Sequence, residues 1–232
     1  ATAGPEIMFG GRMLLHTGGG PFHRALKRTH KQGVAGHPRS GALTDGLRDE
    51  VAHRLVERVW EVRCSQPLQQ LLEVGAHSGS VVRALAASPP AQLERVRRVT
   101  CVEHAGKMLR RDEESLRKIL PGAEVVLVEG DEEKMEFPEN EFDAVVSNLS
   151  LHWINDVLGT LQNTKRMLRP DGLLLASMFG GDTLEELRTC FVAAGLEREG
   201  GVSAHVSPMA NVSDVGNLLQ RAGFAMPTVD TD

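Results

Sequence analysis

The sequence predicts an α/β domain: a parallel sheet with helices on both faces. Three observations carry that prediction. Short apolar runs alternate with segments of helical periodicity, the pattern of strands joined by helical crossovers. Several runs are apolar throughout, which marks strands covered on both sides. The first run ends in a glycine turn, Glu73-Val74-Gly75-Ala76-His77-Ser78-Gly79, and in doubly wound sheets such a turn faces the crevice at the carboxyl ends of the strands.

Each element has a local reason. Residues 44–60 offer Thr44 or Asp45 as an N-cap and place Leu47, Val51, Leu55, Val56 and Val59 at helical spacing. Leu68–Val74 is the first strand, and residues 79–87 form a helix stopped by Pro89-Pro90. Val99–Glu103 is the second strand, Lys107–Leu120 a helix ended by Pro121-Gly122, Val125–Val128 the third strand and Phe142–Ser147 the fourth. Ile154–Leu168 is a helix closed by the turn Arg169-Pro170-Asp171-Gly172, and Leu173–Phe179 is the fifth strand. Thr183 and Glu186 read as a capping box for the next helix. Asn211–Ala222 is a further helix, and Thr228–Asp232 reads as the start of a sixth strand. The last strand or strands of such a sheet are expected to be absent from this chain.

Composition narrows the class. Of the 232 residues, 41% are apolar and 25% charged, ordinary for a globular protein. The longest apolar stretch, Leu173–Phe179, is interrupted by Ser177 and is far short of the ~20 residues a membrane-spanning helix needs. Three cysteines without a C-x-x-C exclude a disulfide scaffold and a zinc ribbon. Cys101 and Cys190 lie on apolar segments and are expected in the core. The net charge of −5 hides a split: residues 1–40 carry six basic residues against Glu6, together with eight glycines. The reading is a basic, glycine-rich arm over 1–40 and a domain over 41–232. The arm is expected to be irregular, to lack contact with its own domain, and to run along a polyanionic or acidic partner, with Lys27, Arg28 and Lys31 meeting phosphates if that partner is RNA. Its deletion is then expected to leave the melting temperature nearly unchanged.

The strand ends carry an ordered series. Glu73, Gly75 and Gly79 mark the first. Glu103, followed by His104, ends the second and can accept from both hydroxyls of a ribose. Asp131, followed by Glu132, ends the third, placed to accept from an adenine amino group. Asn148 and Leu149 end the fourth. This series resembles the Rossmann-like class I S-adenosylmethionine (SAM) dependent methyltransferase fold, whose usual turn is [DE]-x-G-x-G-x-G. The resemblance implies a cofactor crevice lined by Glu73, Gly75, Ala76, His77, Gly79, Glu103, His104, Asp131, Glu132, Asn148 and Leu149. Here His77 stands where the pattern has its middle glycine. A histidine can take the left-handed conformation at modest strain, but its imidazole adds bulk where the cofactor approaches the backbone. SAM binding is therefore expected to be weakened or lost.

Longer segments point further. Ser147–Asp156 (SNLSLHWIND), Met178–Arg188 (MFGGDTLEELR), Glu197–Pro208 (EREGGVSAHVSP) and Arg221–Phe224 (RAGF) are similar to the mitochondrial complex I assembly-factor methyltransferase family, also described as a protein arginine hydroxylase. Pro21–Arg28 (PFHRALKR) resembles its N-terminal F-D-R-x-L-K-R, with His23 in place of the Asp. Malonyl carrier-protein methyltransferases are more distant cousins. The resemblance implies a mitochondrial matrix protein, a SAM-type pocket and work on a large complex under construction, with protein subunits as partners. The client is complex I or, given the basic arm, an RNA-containing particle such as a mitochondrial ribosomal subunit. The leading reading is an assembly factor with catalysis doubtful; the alternative is an active SAM-dependent methyltransferase or protein arginine hydroxylase modifying a subunit.

No residue emerges from the sequence as catalytic. His152 and Trp153, after the fourth strand, could form a substrate-side wall with His152 as a base, or a helix entry with Trp153 in the core. No N-P-P-Y or D-P-P-Y follows that strand, which argues against methylation of nucleic-acid bases. No metal-ligand set stands out, and His205 reads as a loop histidine with a local hydrogen bond.

Overall fold

The computed structural model describes residues 20, 22–37, 40–62, 64, 67–198, 200, 201, 206, 207 and 209–231, with 40–44 as backbone only. Five parallel strands, β1 (Gln70–Val74), β2 (Arg98–Glu103), β3 (Glu124–Glu129), β4 (Phe142–Asn148) and β5 (Leu168–Ser177), form one sheet in the order β3-β2-β1-β4-β5. The order reverses between β1 and β4, so the crevice opens there, beyond the carboxyl ends of both strands. Nine α-helices are described: α1 (Arg24–Ala35), α2 (Ser40–Glu61), α3 (Ser80–Ala86), α4 (Pro90–Leu93), α5 (Gly106–Leu109), α6 (Glu113–Ile119), α7 (Val157–Met167), α8 (Glu185–Arg198) and α9 (Val212–Arg221).

One core layer packs α2, α3 and α6 on β1 and β2 through Ala52, Leu55, Leu71, Val82, Leu85, Val99 and Leu116. The other face of the sheet, with Leu72, Val74, Val102 and Val145, packs on Phe142, Met167 and Leu168. The alternation of Leu71 and Leu72 between the two layers is the pleat's period of two in a strand buried on both faces.

Several elements differ from expectation. Helix α2 is turned on its axis: Leu47 is 51% exposed, whereas Ala52, Leu55, Val56 and Val59 are buried. The inward stripe therefore begins at Arg48, four residues before Ala52. The helix expected over 107–120 breaks into α5 and α6, and at the break Arg111 donates to Asp45 Oδ2 on α2 at 2.6 Å and to Asp112 Oδ2 at 2.9 Å. The turn Arg169–Gly172 lies inside β5 as an irregularity: Phe142 pairs with Leu168 but Ala144 with Leu173, and Asp171 absorbs the excess at φ 61°. Residues 228–231 are not a strand. Cys190 is exposed on α8, while Cys101 is buried as expected. Helix α9 has the Asn211/Asp214 capping box.

The largest correction concerns the arm. Residues 24–35 are the helix α1, capped by the His23 side chain, which accepts from the Leu26 N–H. It lies against its own domain, and Phe22 before it is 5% exposed, edge-on to Trp153 with ring centroids 5.3 Å apart. The Phe22 N–H and C=O both bond the Asn155 side chain, at 2.9 and 3.0 Å. Three of the six basic residues that suggested an external partner, Arg24, Arg28 and Lys31, pair internally with acids at the ends of β2 and β3. Residues 1–19 lie outside the described residues.

Candidate functional site: a crevice over the glycine turn

The glycine turn is built by close approach. Gly75 and Gly79 have φ of 74° and 83°. A Cβ on Gly75 would lie 1.9 Å from Ser150 Oγ, and one on Gly79 would lie 2.7 Å from Leu116 Cδ1. The N–H groups of Gly75 and Ala76 both donate to the Val102 carbonyl at 2.9 Å, tying the turn to β2. Beneath it the buried Glu73 carboxyl accepts from the Val81 N–H at 3.3 Å and the Cys101 thiol at 3.4 Å. Burial pushes Glu73 up to about 7, against the pull of those two hydrogen bonds. The acid thus braces the first turn of α3.

His77 takes the left-handed conformation, φ 53°. Its N–H donates to Glu103 Oε2 at 3.0 Å. Its ring faces α2: Nδ1 is 3.4 Å from Ser78 Oγ and 3.9 Å from Asp45 Oδ1. Burial, then the positive charges of Arg48 and Lys31, push it down to about 3, so the ring is neutral.

The acids converge as a group. Glu103 is fully buried and accepts from the N–H groups of His77 and Ala105, each at 3.0 Å. Both of its oxygens lie 2.9 Å from Lys31 Nζ. Burial would raise its carboxyl, but Lys31 and His104 hold it well below the usual range. His104 Nδ1 is 3.2 Å from Glu103 Oε1 and 3.4 Å from Glu132 Oε1. Burial disfavours its charge, yet those carboxylates raise its pKa. Asp131 accepts from Arg24 Nη2 and from the Glu133 N–H, at 2.8 and 3.1 Å, and Glu132 bonds the same guanidinium. Arg28 pairs with Glu129. Donor atoms of Glu103, His104 and Glu132 lie within 4.8 Å of one another, close enough for a metal ion; Lys31 and Arg24 already neutralise the two carboxylates.

Asn148 closes the β4 side. Its amide donates to the Arg48 carbonyl at 2.9 Å and Ser80 Oγ at 3.0 Å, and its Oδ1 accepts from Ser177 at 2.9 Å. Leu149, φ 48°, donates its N–H to the Ser177 carbonyl at 3.0 Å. Glu103, His104, Asp131, Glu132 and His77 thus gather at one edge of the crevice. Glu73 and Asn148 lie beneath as braces, their polar atoms bonded to α3, β2, α2 and β5.

Arg48 and His152 had no assigned role or a divided one, and Lys27 was expected to meet phosphate. Arg48 projects from the inward stripe of α2 and donates to the Asn148 carbonyl at 3.3 Å. Lys27 Nζ sits over the Trp153 ring, 2.9 Å from its centroid; burial, with Lys31 and Arg24 nearby, pushes it down to about 8. His152 is buried among Trp153 and Phe179, at ring distances of 5.2 and 5.0 Å, and among the described residues both its ring nitrogens lack a partner. Burial and the positive charges of Arg48, Lys27 and Lys31 push it down to about 3. The register of α2 was the signal for Arg48: a charged residue four positions before a buried alanine lies on the inward stripe. His205 lies outside the described residues.

Known proteins place this architecture. Residues 72–176 match the Methyltransferase domain family. A SAM-dependent methyltransferase from Aquifex aeolicus superposes with TM-score 0.53 at 19% identity, over 73% of this chain and 78% of that one, which shows the fold. Malonyl-[acyl-carrier protein] O-methyltransferase of Gallionella capsiferriformans is 31% identical over 90% of this chain and 67% of its own length. Arginine-hydroxylase NDUFAF5, mitochondrial, of Rattus norvegicus is 40% identical over 91% of this chain, and the match spans 57% of the relative's length. The human protein of that name matches to the same extent. The chain belongs to the family of mitochondrial arginine-hydroxylase NDUFAF5, the complex I assembly-factor methyltransferase family its motifs resemble.

Proposed function

We propose that this chain is the cofactor-binding body of a mitochondrial matrix protein that works on complex I subunits during assembly, and that its crevice takes SAM. The observation that supports the reading is the joint placement of the Gly75–Gly79 turn after β1 and the Glu103, Asp131 and Glu132 carboxylates after β2 and β3, all along the carboxyl ends of neighbouring strands. The donor set fits a nucleoside: Glu103 would accept from ribose hydroxyls, Asp131 from an adenine amino group, and the glycine turn leaves backbone room. SAM, when bound, supplies an electrophilic methyl group. The chain's own part is to orient the nucleoside and exclude water. Helix α1 supports an enzymatic role, because it covers the acids, as a crevice that must exclude water requires.

The same helix supports weakened binding. Lys31 holds the carboxylate that a ribose would need, and His77 stands at the middle glycine's position. Methylation of a protein side chain is the activity this reading favours; hydroxylation would need a two-electron oxidant beside SAM, and docking without catalysis is the rival. RNA contact through residues 1–40 would have to use Arg12, Lys27 or Arg39, or release Arg24, Arg28 and Lys31 from Asp131, Glu129 and Glu103.

Calorimetric titration with SAM and S-adenosylhomocysteine tests the proposal. Binding that is measurable but weaker than micromolar, and lost in Glu103→Ala, is the expected result. No binding in either the parent or Lys31→Met would sink the cofactor assignment and favour the docking role.

A further inference from the structure

Helix α1 is held by charge and by one aromatic ring. No residue of Arg24–Ala35 is buried. Phe22, just before it, is buried against Trp153, and the rest of the hold is a single stripe. Arg24, Lys27, Arg28 and Lys31 stand at i, i+3, i+4 and i+7, which places all four cations on one helix face. Arg24 donates to Asp131, Glu132 and the Trp153 carbonyl. Arg28 donates to Glu129 and Lys31 to Glu103. Lys27 rests on the Trp153 ring.

This seat uses up the acceptors a nucleoside would need. A carboxylate offers about four lone-pair sites. At Glu103 the His77 and Ala105 N–H groups take two, each at 3.0 Å, and Lys31 Nζ lies 2.9 Å from both oxygens. That leaves no lone pair for a ribose hydroxyl. At the other end of the stripe Arg24 Nη2 donates to Asp131 Oδ1 at 2.8 Å, the carboxylate read above as the acceptor for an adenine amino group. One helix face therefore occupies both ends of the nucleoside's place. Its hold is replaceable. Glu103 and Glu132 are buried beneath the helix, so their desolvation offsets much of the attraction to Lys31 and Arg24. The Arg28–Glu129 pair is half-exposed and contributes little. A polar ligand that meets the same carboxylates can take over such a hold, as it could not replace a core contact.

We propose that α1 is an exchangeable, autoinhibitory plug: it fills the nucleoside's place in the free chain, and a nucleoside enters only as the helix leaves. This device rests on the nucleoside reading above and regulates that same site. In the free chain the helix excludes ligand as well as water. Docked helix and bound nucleoside exclude each other, so whatever draws α1 away raises nucleoside affinity, and nucleoside releases α1 in return. The rival is a cover that stays docked over the ligand while the Lys31 side chain alone swings aside.

Limited trypsin digestion of the whole chain decides it, with cuts mapped by mass spectrometry and S-adenosylhomocysteine or 5′-methylthioadenosine as probes. Trypsin cuts after Lys and Arg, so the stripe itself reports its release. At low protease the rate follows the population of the open form. Saturating nucleoside is expected to speed cutting at Arg24, Lys27, Arg28 and Lys31 by about tenfold or more, and not to speed it at Arg54 or Lys118. Calorimetry on Arg28→Gln adds a second reading, because Arg28 pairs outside the assigned nucleoside contacts. Its affinity for either probe should rise, by up to about fivefold, the worth of an exposed pair. Protection of the stripe by nucleoside overturns the plug in favour of a cover. Unchanged cutting also overturns it and assigns the competition to the Lys31 side chain alone. Both of these results leave the nucleoside reading standing. Affinities no higher than the parent's in both Arg28→Gln and Lys31→Met equally overturn the plug. A chain that binds neither probe, as parent or as either variant, sinks the nucleoside reading and the plug together.

Discussion

Lys31 Nζ lies 2.9 Å from both oxygens of Glu103, so a fully buried acid at the mouth of the crevice is chelated by the N-terminal helix of its own chain. A ribose and this ammonium compete for the same lone pairs. Lys31→Met should therefore raise affinity for S-adenosylhomocysteine while lowering stability, by about 1.5–3 kcal/mol for a hydrogen bond to a charged group. Titration and thermal melts on one preparation measure both. A variant that loses affinity would mean that Lys31 assists the ligand.

His77→Gly separates bulk from backbone. Glycine at φ 53° relieves left-handed strain but frees the unfolded chain, two effects of about 1 kcal/mol each and of opposite sign. Stability should move little, and nucleoside affinity should rise. Unchanged affinity would place the imidazole clear of the ligand, in keeping with its contact with Ser78.

Much of this could be read from residues alone, and the failures share a cause. The turn Glu73–Gly79 and the acids Glu103 and Asp131 are legible because each lies at a strand end, where a local pattern fixes position. Helix α1 was missed because composition was weighed over residues 1–40 as a block. The glycines cluster before residue 21, and only Gly33 lies within Arg24–Ala35. The pairing of Arg24, Arg28 and Lys31 with acids some 70 to 110 positions away is a tertiary fact that no local period encodes. Arg48 was missed for a smaller reason: Leu47 and Val51 fit an apolar stripe as well as Ala52 and Leu55 do, and packing chose the latter.

Gly75→Ala should destabilise the fold by about 2 kcal/mol or more, because it adds left-handed strain to an overlap with Ser150 Oγ at 1.9 Å. Adding Ser150→Gly should recover the overlap portion only, leaving roughly 1 kcal/mol of conformational cost. Urea denaturation of the single and double variants provides the cycle. Full recovery would show that the φ of 74° is not what glycine supplies here.

Glu73 gives a pH signature. Its folded pKa, about 7, lies above the usual carboxyl value of 4.5 because of burial. Between these values the folded chain holds a proton that the unfolded chain has released. Stability from this group is therefore full below about pH 4.5 and is lost as pH rises through 7. The stability of the parent relative to Glu73→Gln should fall across that window, with a slope of at most about 1.4 kcal/mol per pH unit. Melts at half-unit steps check it, and a flat difference would place the ionised carboxylate in the fold throughout.

Deletion of the N-terminal helix now carries the opposite expectation from that of a free arm. A chain beginning at residue 38 loses the buried Phe22 ring, worth about 1.5–3 kcal/mol, and the hydrogen bonds of Arg24 and Lys31 to buried acids. Part of that loss is returned, because Glu103, Asp131 and Glu132 regain water once uncovered. A net cost of about 2–4 kcal/mol corresponds to a fall of roughly 5–15 °C in melting temperature for a chain of this size. A second truncation, beginning at residue 20, is the control: it keeps α1 and all of these contacts and should melt near the parent. Added salt should narrow the gap only slightly. It screens the exposed Arg28–Glu129 pair but reaches Glu103 poorly. Equal melting temperatures for the two truncations would mean that α1 rests on the crevice without stabilising it, and that its cations are free for another partner.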